Sequence, residues 1–252
     1  MKSPTDTAQE SFFPETRWSV VLKTGDCDED RAYAALSKLC EDYWYPLYAY
    51  VRKRGYDHAQ AQDLTQEFFA RILEKQQVQK ARKEKGKFRS FLLVSMNHFL
   101  TNEWRRQNRQ KRGGGKVSFF SELERADERF SFEVTDSNKT ADLLFEEKWA
   151  LAILQKAVQR LKEEWSQGER KTMYESLKPL LAGDPDSRSY REVAEQIGLT
   201  EGAVKVAVHR MRQRLRDLLH EEVAQTVEDA TQIHEELKYF LKVFGGNSSL
   251  ST

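Results

Sequence analysis

Apolar residues recur along most of the chain at every third or fourth position, which is the spacing of one face of an α-helix. Leu64, Phe68 and Ile72 show this spacing between residues 63 and 73, and a second series shows it between residues 88 and 104. The alternation of apolar and polar residues that is typical of a β-strand does not stand out. The same spacing indicates further helices that start near Tyr33, separately at Tyr43, near Leu143 and at Ser189.

A run of three glycines, Gly113 to Gly115, divides the predicted helices into two groups, because consecutive glycines disfavour a helix. The pattern therefore predicts an all-α protein of two small helical domains joined by a linker. The predicted segments are an N-terminal extension (1–30), a first helical domain (31–115), an acidic linker (116–140), a second helical domain (141–219) and an acidic C-terminal extension (220–252).

The segment from Ser189 to Arg216 has the pattern of a helix-turn-helix. Ser189 can cap a first helix, and Glu192 stands three residues later, as a capping box requires. Gly198 supplies a turn that tolerates a positive φ, and Thr200 can cap the second helix. The apolar positions that would pack the two helices together are Val193, Ala194, Ile197, Val204, Ala207 and Val208.

The second helix of this motif is predicted to have a basic outer face, because no acidic residue occurs from position 205 to position 216. A helix of this charge is suited to lie against DNA phosphates. Charge alone also fits an amphipathic helix whose basic residues are only solvated, so the prediction of DNA binding depends on the joint pattern of caps, turn and apolar positions. The outer positions are Lys205, His209, Arg210, Arg212, Arg214 and Arg216.

Charge is unevenly distributed along the chain, although the net charge is only +1. Residues 71–116 carry 14 Lys or Arg against 3 acids, whereas residues 117–147 carry 9 acids against 3 bases. Residues 217–236 carry 7 acids and no Lys or Arg. This separation indicates basic surfaces suited to nucleic acid and acidic connecting segments.

Composition argues against several other classes of protein. Cys27 and Cys40 are the only cysteines, lack the spacing of metal ligands and are expected to be free thiols in a reducing compartment. No apolar run approaches the ~20 residues of a membrane span, and the N-terminus lacks the apolar core of a signal peptide. The five histidines are scattered, and neither a glycine-rich phosphate loop nor a nucleophile–base pair is evident. We therefore expect a cytoplasmic protein that is not an enzyme, with no membrane contact, metal, cofactor or small-molecule substrate.

Both helical domains resemble the sigma-70 family of bacterial RNA polymerase initiation factors, in its small extracytoplasmic-function type. The first domain resembles region 2 of the family in the sequence Asp-Leu-Thr-Gln-Glu-Phe-Phe at residues 63–69 and in Phe-Arg-Ser-Phe-Leu at residues 88–92. The second domain resembles region 4 in a tyrosine, a small residue, a glycine turn, a Gly-x-Val-Lys sequence and a basic end. These are Tyr190, Ala194, Gly198, Gly202 to Lys205 and His209 to Arg212. The resemblance covers about residues 31–112 and 141–219.

The resemblance implies that the first domain binds core RNA polymerase and the promoter −10 element, and that the helix-turn-helix binds the −35 element. The residues implied to bind the polymerase are Asp63, Gln66, Glu67, Phe69 and Arg71. Those expected at the −10 element are Arg89, Asn97, His98, Asn102, Arg105 and Arg106. Those expected at the −35 element are Thr200, Lys205, Val206, His209 and Arg210, with Arg212 and Arg214 on phosphates.

The polymerase-binding motif departs from the family pattern. Relatives often carry acids just before the Asp-Leu pair, where this chain has Gln60 and Gln62. Thr65 stands beside them, so one hypothesis is that a Ser/Thr kinase phosphorylates Thr65 and supplies the missing negative charge. The alternative is that the glutamine side chains suffice and that Thr65 is an ordinary helix residue.

The sequence thus predicts a sigma factor that binds core RNA polymerase and promoter DNA, with an anti-sigma factor as a further partner that the resemblance would allow. The alternative is a stand-alone helix-turn-helix regulator that binds duplex DNA, which would leave the first domain unexplained. The C-terminal extension also has two interpretations. It could cover a DNA-binding face as an inhibitor, or it could pack as part of an ordinary helical hairpin.

Overall fold

The computed structural model describes residues 16–23, 29–74, 87–109, 139–166, 169–181 and 189–245. These residues form nine helices and no strand, which confirms the predicted all-α class. The helices are α1 (Arg17–Lys23), α2 (Glu29–Lys53), α3 (His58–Leu73), α4 (Phe88–Arg109), α5 (Ala141–Glu164), α6 (Glu169–Leu181), α7 (Tyr190–Ile197), α8 (Glu201–Ala224) and α9 (Ala230–Gly245). The glycine triplet and nearly all of the predicted linker lie outside the described residues.

Helix α2 is one continuous helix that passes through Pro46, so the prediction of two separate helices near Tyr33 and Tyr43 was wrong. A proline inside a helix removes one backbone hydrogen bond, which disfavours the helix at that point. Burial outweighs this cost here. The side chains of Leu36, Tyr43 and Leu47 follow one another on a single face and are fully buried.

Helix α3 begins earlier than the apolar pattern predicted, because a capping box fixes its start. The Asp57 carboxylate accepts a hydrogen bond from the Gln60 backbone N–H at 2.8 Å, and the Gln60 side chain accepts one from the Asp57 N–H at 3.1 Å. Gly55, with a φ of 94°, turns the chain between α2 and α3. The predicted apolar face is confirmed, since Leu64, Phe68 and Ile72 are all buried.

A first hydrophobic core is built on aromatic side chains from α1, α2 and α4. The ring of Phe88 lies 4.9 Å from that of Trp18 and 4.9 Å from that of Tyr43, the latter edge to face. The N-terminal half of α5 joins the same core through Phe145 and Trp149, which are buried. The first core therefore includes residues on both sides of the predicted linker.

A second hydrophobic core lies under the helix-turn-helix. The C-terminal half of α5 contributes Ala157 and Leu161, and α6 contributes Leu177. Val193 of α7 and Val208 of α8 pack against them. Helix α5 thus supplies its first half to one core and its second half to the other.

The end of α8 returns the chain to the first core. Helix α8 continues without a break past residue 219, and the turn after it is held by backbone hydrogen bonds. The Gln225 carbonyl accepts from the Trp18 N–H at 3.1 Å, and the Thr226 carbonyl accepts from the Phe88 N–H at 3.0 Å. These bonds satisfy N–H groups at the starts of α1 and α4, which have no partner within their own helices.

Candidate nucleic-acid interface

The helix-turn-helix forms with the caps and turn that the sequence predicts. The Ser189 Oγ accepts from the Glu192 N–H at 3.2 Å, and the Glu192 carboxylate accepts from the Ser189 N–H at 3.0 Å. Gly198 has a φ of 70°, in the left-handed region. The Thr200 Oγ1 accepts from the Ala203 N–H at 3.2 Å and caps α8. These local bonds fix the angle at which α8 leaves the turn.

The first half of α8 presents a solvent-facing surface that we call the α8 face, formed by Lys205, Val206, His209 and Arg210. All four side chains are exposed, including 52% of Val206. Lys205 pairs with Glu201 one turn earlier, at 2.6 Å, and both side chains remain open to solvent. Two cationic side chains, an imidazole and an exposed apolar side chain on one helix are the side-chain types that contact the edges of DNA bases.

Arg212 does not belong to the α8 face. Its guanidinium turns inward and donates to the Leu180 carbonyl at 2.7 Å and to the Leu181 carbonyl at 3.2 Å. These carbonyls end α6, where helix carbonyls lack partners within the helix. The prediction that Arg212 contacts DNA phosphates therefore does not fit the structure, in which Arg212 caps α6.

Arg214 is likewise committed to partners within the protein. Its guanidinium donates to the Glu164 carboxylate at 2.6 Å and to the Glu221 carboxylate at 3.0 Å. Hydrogen bonding to Glu164 raises the pKa of Arg214 further above its already high ordinary value. Two carboxylates beside Arg214 cancel its charge towards a phosphate, so its predicted phosphate contact does not fit this placement.

Helix α4 carries exposed side chains near its end, which together we call the α4 face: His98, Asn102 and Arg105 lie on one side of the helix, and Trp104 lies further around it. All four side chains are exposed. Trp104, which is 61% exposed, was not among the predicted site residues. The apolar stripe of α4 could have indicated it, because Phe88, Leu92, Met96 and Phe99 are buried while Trp104 stands outside their helical register.

Arg106 lies beside the α4 face and pairs with the buried carboxylate of Glu103 at 2.6 Å. Its side chain remains 52% exposed, so it is shared between an internal ion pair and the surface. Arg106 can therefore still lie near a phosphate, as predicted, but with part of its charge balanced.

Asn97 and Arg89 were expected at the −10 element, but Asn97 is half-buried and Arg89 is buried. The Asn97 Oδ1 accepts from the Tyr50 hydroxyl at 2.7 Å and from Arg54 Nη2 at 2.7 Å, so it joins α4 to α2. Arg89 is buried and pairs with Glu146 and Glu236. The predicted contact of Arg89 with DNA does not fit this position, because carboxylates occupy its guanidinium. The contact of Asn97 stays a prediction, because these bonds occupy its Oδ1 alone.

The predicted polymerase-binding residues divide between surface and core. Asp63, Gln66 and Glu67 lie on the partly exposed side of α3, where a partner can reach them, and they form a polar ridge along the helix. Phe69 is buried, so its predicted contact with a partner does not fit. Arg71 pairs with Glu67 at 2.5 Å and with Glu103 at 3.1 Å, which joins this ridge to α4.

Thr65 lies on the opposite side of α3 from that ridge. Its side chain is fully buried, and its Oγ1 donates to the Ala61 carbonyl at 2.7 Å. A kinase needs an accessible hydroxyl, and a buried phosphate would lack the cations that it needs. This geometry argues against phosphorylation of Thr65 in the folded domain and favours the alternative of an ordinary helix residue.

Two wider features of the site can be stated for the described residues. No helix among them is long and apolar enough to cross a membrane. No cluster of three or more His, Cys, Asp or Glu within those same ranges could hold a metal ion.

The fold and these two faces define an all-α protein with a helix-turn-helix and a second exposed polar helix. Residues 39–110, which include the second half of α2 and all of α3 and α4, match the family model for sigma-70 region 2. This match covers less than a third of the chain and supports a relationship to the sigma-70 family of transcription initiation factors. The region 2 family implies binding to core RNA polymerase and promoter DNA. Neither the curated proteins nor the solved structures yielded a match.

Proposed function

We propose that this protein is a sigma factor of the extracytoplasmic-function type, which acts in the cytoplasm with core RNA polymerase. The observation that carries the proposal is the presence in one chain of a region 2 sequence match and a capped helix-turn-helix with an exposed basic face. Region 2 supports the transcription-initiation role. The helix-turn-helix, outside that match, supports recognition of a second promoter element.

The α8 face is our proposed reader of the −35 element. Arg210 and Lys205 can donate to guanine acceptors, and Val206 can contact a thymine methyl group. His209 stands between them in sequence and can contact a base edge. Thr200, at the start of α8, lies where backbone N–H groups can bind a phosphate.

The α4 face is our proposed reader of the −10 element. Opening of the promoter requires that an unpaired strand be held, and an exposed aromatic ring can stack on a base. Trp104 supplies such a ring, and His98 and Asn102 supply polar groups two turns and one turn before Arg105, respectively. Arg105 and Arg106 can follow the backbone of the strand.

The exposed side of α3 is our proposed docking ridge for core RNA polymerase. Asp63 and Glu67 stand one turn apart, and Gln66 lies between them in sequence. Carboxylates pair well with arginine on a partner, so a basic surface of the polymerase is the expected counterpart. An anti-sigma factor as a further partner stays a prediction.

Run-off transcription tests the proposal, with purified core RNA polymerase and genomic promoter fragments, with and without the protein. We expect discrete transcripts only when the protein is present. Arg210→Ala should reduce them, whereas Arg216→Ala, which removes an exposed charge from the same helix beyond the α8 face, should not.

Two failures of this experiment have different meanings. If the protein binds core polymerase but yields no transcript from any fragment, the promoter-recognition part of the proposal fails. If it binds duplex DNA but not the polymerase, the stand-alone regulator is the better description.

A further inference from the structure

The C-terminal hairpin, residues 220–245, is built into the first core. Val223 at the end of α8, Val227 in the turn, and Ile233 and Phe240 of α9 are buried in that core. The rings of Phe240 and Trp149 meet edge to face at 6.3 Å. The hairpin therefore packs on α5 and shares the first core with α1, α2 and α4.

A buried ion cluster fixes α9 against α4 and α5. The Glu236 carboxylate is fully buried and pairs with Arg89 and, at 2.8 Å, with Lys87. The Arg89 guanidinium also pairs with Glu146 and lies 4.2 Å from the centre of the Tyr239 ring. A buried carboxylate is tolerated only with such partners. The position of α9 that keeps Glu236 paired with Arg89 and Lys87 is therefore favoured over others.

The turn of the hairpin adds a second attachment, to α1. The Thr16 hydroxyl is buried and donates to the Val227 carbonyl at 2.8 Å. The Arg17 backbone N–H donates to the Gln225 side chain at 3.1 Å. With the two backbone bonds already described, the turn joins the starts of α1 and α4 to the end of α8.

This attachment ties the two DNA-reading faces to each other. Helix α8 carries the α8 face in its first half and the start of the hairpin at its end. The path from Val206 along α8, through the Thr226–Phe88 hydrogen bond and along α4 to Asn102 is about 60 Å, even if every segment lay in one line. The centres of a −35 and a −10 element lie roughly 85 Å apart on B-form DNA.

We propose that the C-terminal hairpin is a lock that holds the free protein in a closed state, and that the lock must open before one molecule can contact both promoter elements. This inference rests on the proposed sigma-factor function. The hairpin does not need to cover a DNA-binding face for this purpose. It limits the distance between the faces, together with α5, which packs in both cores.

A distance measurement between two spin labels tests the lock in the full-length protein. Ala34→Cys on α2 and Glu195→Cys on α7 place the labels at exposed positions outside both faces. Cys27→Ser removes one native thiol. Cys40 can remain, because burial raises the pKa of its thiol and makes it a poor target for labelling.

We expect one short distance in the free protein and a longer distance in the complex with core RNA polymerase and promoter DNA. An unchanged distance in a complex that produces transcripts would overturn the lock and leave the sigma-factor function intact. If the protein does not bind the polymerase, the proposed function fails, and the free-state measurements below still test the hairpin.

The adjacent acids of α9 provide a matched pair of variants. Glu236→Gln removes the buried charge, whereas Glu235→Gln removes a charge whose side chain is 73% exposed. We expect Glu236→Gln to add a population at longer distances in the free protein and Glu235→Gln to leave the distribution unchanged. If Glu236→Gln unfolds the protein, Thr16→Val replaces it, since it removes the hydrogen bond to Val227 and the one that Thr16 accepts from the Ser19 N–H, but no buried charge. A folded hairpin variant with the wild-type distribution would contradict the lock.

Discussion

Helices α4 and α8 each present an exposed polar face and an anchored end, but in opposite order along the chain. Helix α4 is anchored at its start, through Phe88 and Arg89, and exposed near its end. Helix α8 is exposed near its start and anchored at its end, through Val223. The two anchored ends meet at the same turn. The comparison teaches that arginines on a basic helix have different roles according to their position relative to the anchor.

The strongest test of this comparison contrasts an anchored and an exposed arginine of α4. Arg89→Ala should lower the free energy of unfolding by about 3–5 kcal/mol, because it leaves two buried carboxylates without their main partner. Arg105→Ala should change it by less than about 0.5 kcal/mol. Chemical denaturation measures both. Similar effects from the two substitutions would remove the distinction between the ends of α4.

Thr65→Glu should also destabilise the protein, by more than about 2 kcal/mol, because a carboxylate would enter a fully buried site without a cation. Thr65→Val keeps the shape of the side chain and should cost about 1 kcal/mol for the lost hydrogen bond. Denaturation curves of both variants give the comparison. A folded Thr65→Glu protein that binds core polymerase more tightly than wild type would restore the phosphorylation hypothesis.

Within α8, substitutions of Arg212 and Arg210 should have different effects, the first on stability and the second on DNA binding. Arg212→Ala should lower the free energy of unfolding by about 1–2 kcal/mol, since it removes the cap of α6. Arg210→Ala should leave stability within about 0.5 kcal/mol of wild type and weaken binding to −35 duplex DNA. The measurements are denaturation and a binding titration at several salt concentrations. A loss of DNA affinity from Arg212→Ala without a loss of stability would return Arg212 to the DNA interface.

The smallest effect is expected from Arg214→Gln. Its ion pairs with Glu164 and Glu221 are partly exposed, so the loss in stability should be at most about 1 kcal/mol and should shrink in high salt. The dependence of binding to −35 duplex DNA on salt should stay close to wild type. A salt slope reduced by ~1 would instead show that Arg214 neutralises a phosphate.

Local features could be predicted from the sequence, and distant partners could not. The caps at Ser189 and Thr200 and the turn at Gly198 depend on residues within a few positions, so their spacing was sufficient. The partners of Arg89, by contrast, lie 57 and 147 residues away. A count of charged residues along the sequence cannot distinguish a buried, paired arginine such as Arg89 from an exposed one.

The candidate site was predictable to the same extent. Several of the predicted residues are exposed, as their helical positions indicated, including His98, Asn102, Lys205, Val206, His209 and Arg210. Asn97 and Arg212 are not, because each meets a polar atom that only the tertiary fold brings near. Trp104 was missed because it follows a series of apolar residues that pack in the core, although it lies outside their helical register.

The length of α8 has a mechanical consequence. About 25 Å of rigid helix separates Val223, at the anchored end, from Val206 on the α8 face. A tilt of about 30° at the anchored end would move Val206 by roughly 13 Å, which is close to four base-pair steps. The helix is thus a lever with its pivot in the first core. Breaking a few contacts at that pivot would change which stretch of a DNA duplex lies within reach of the far end.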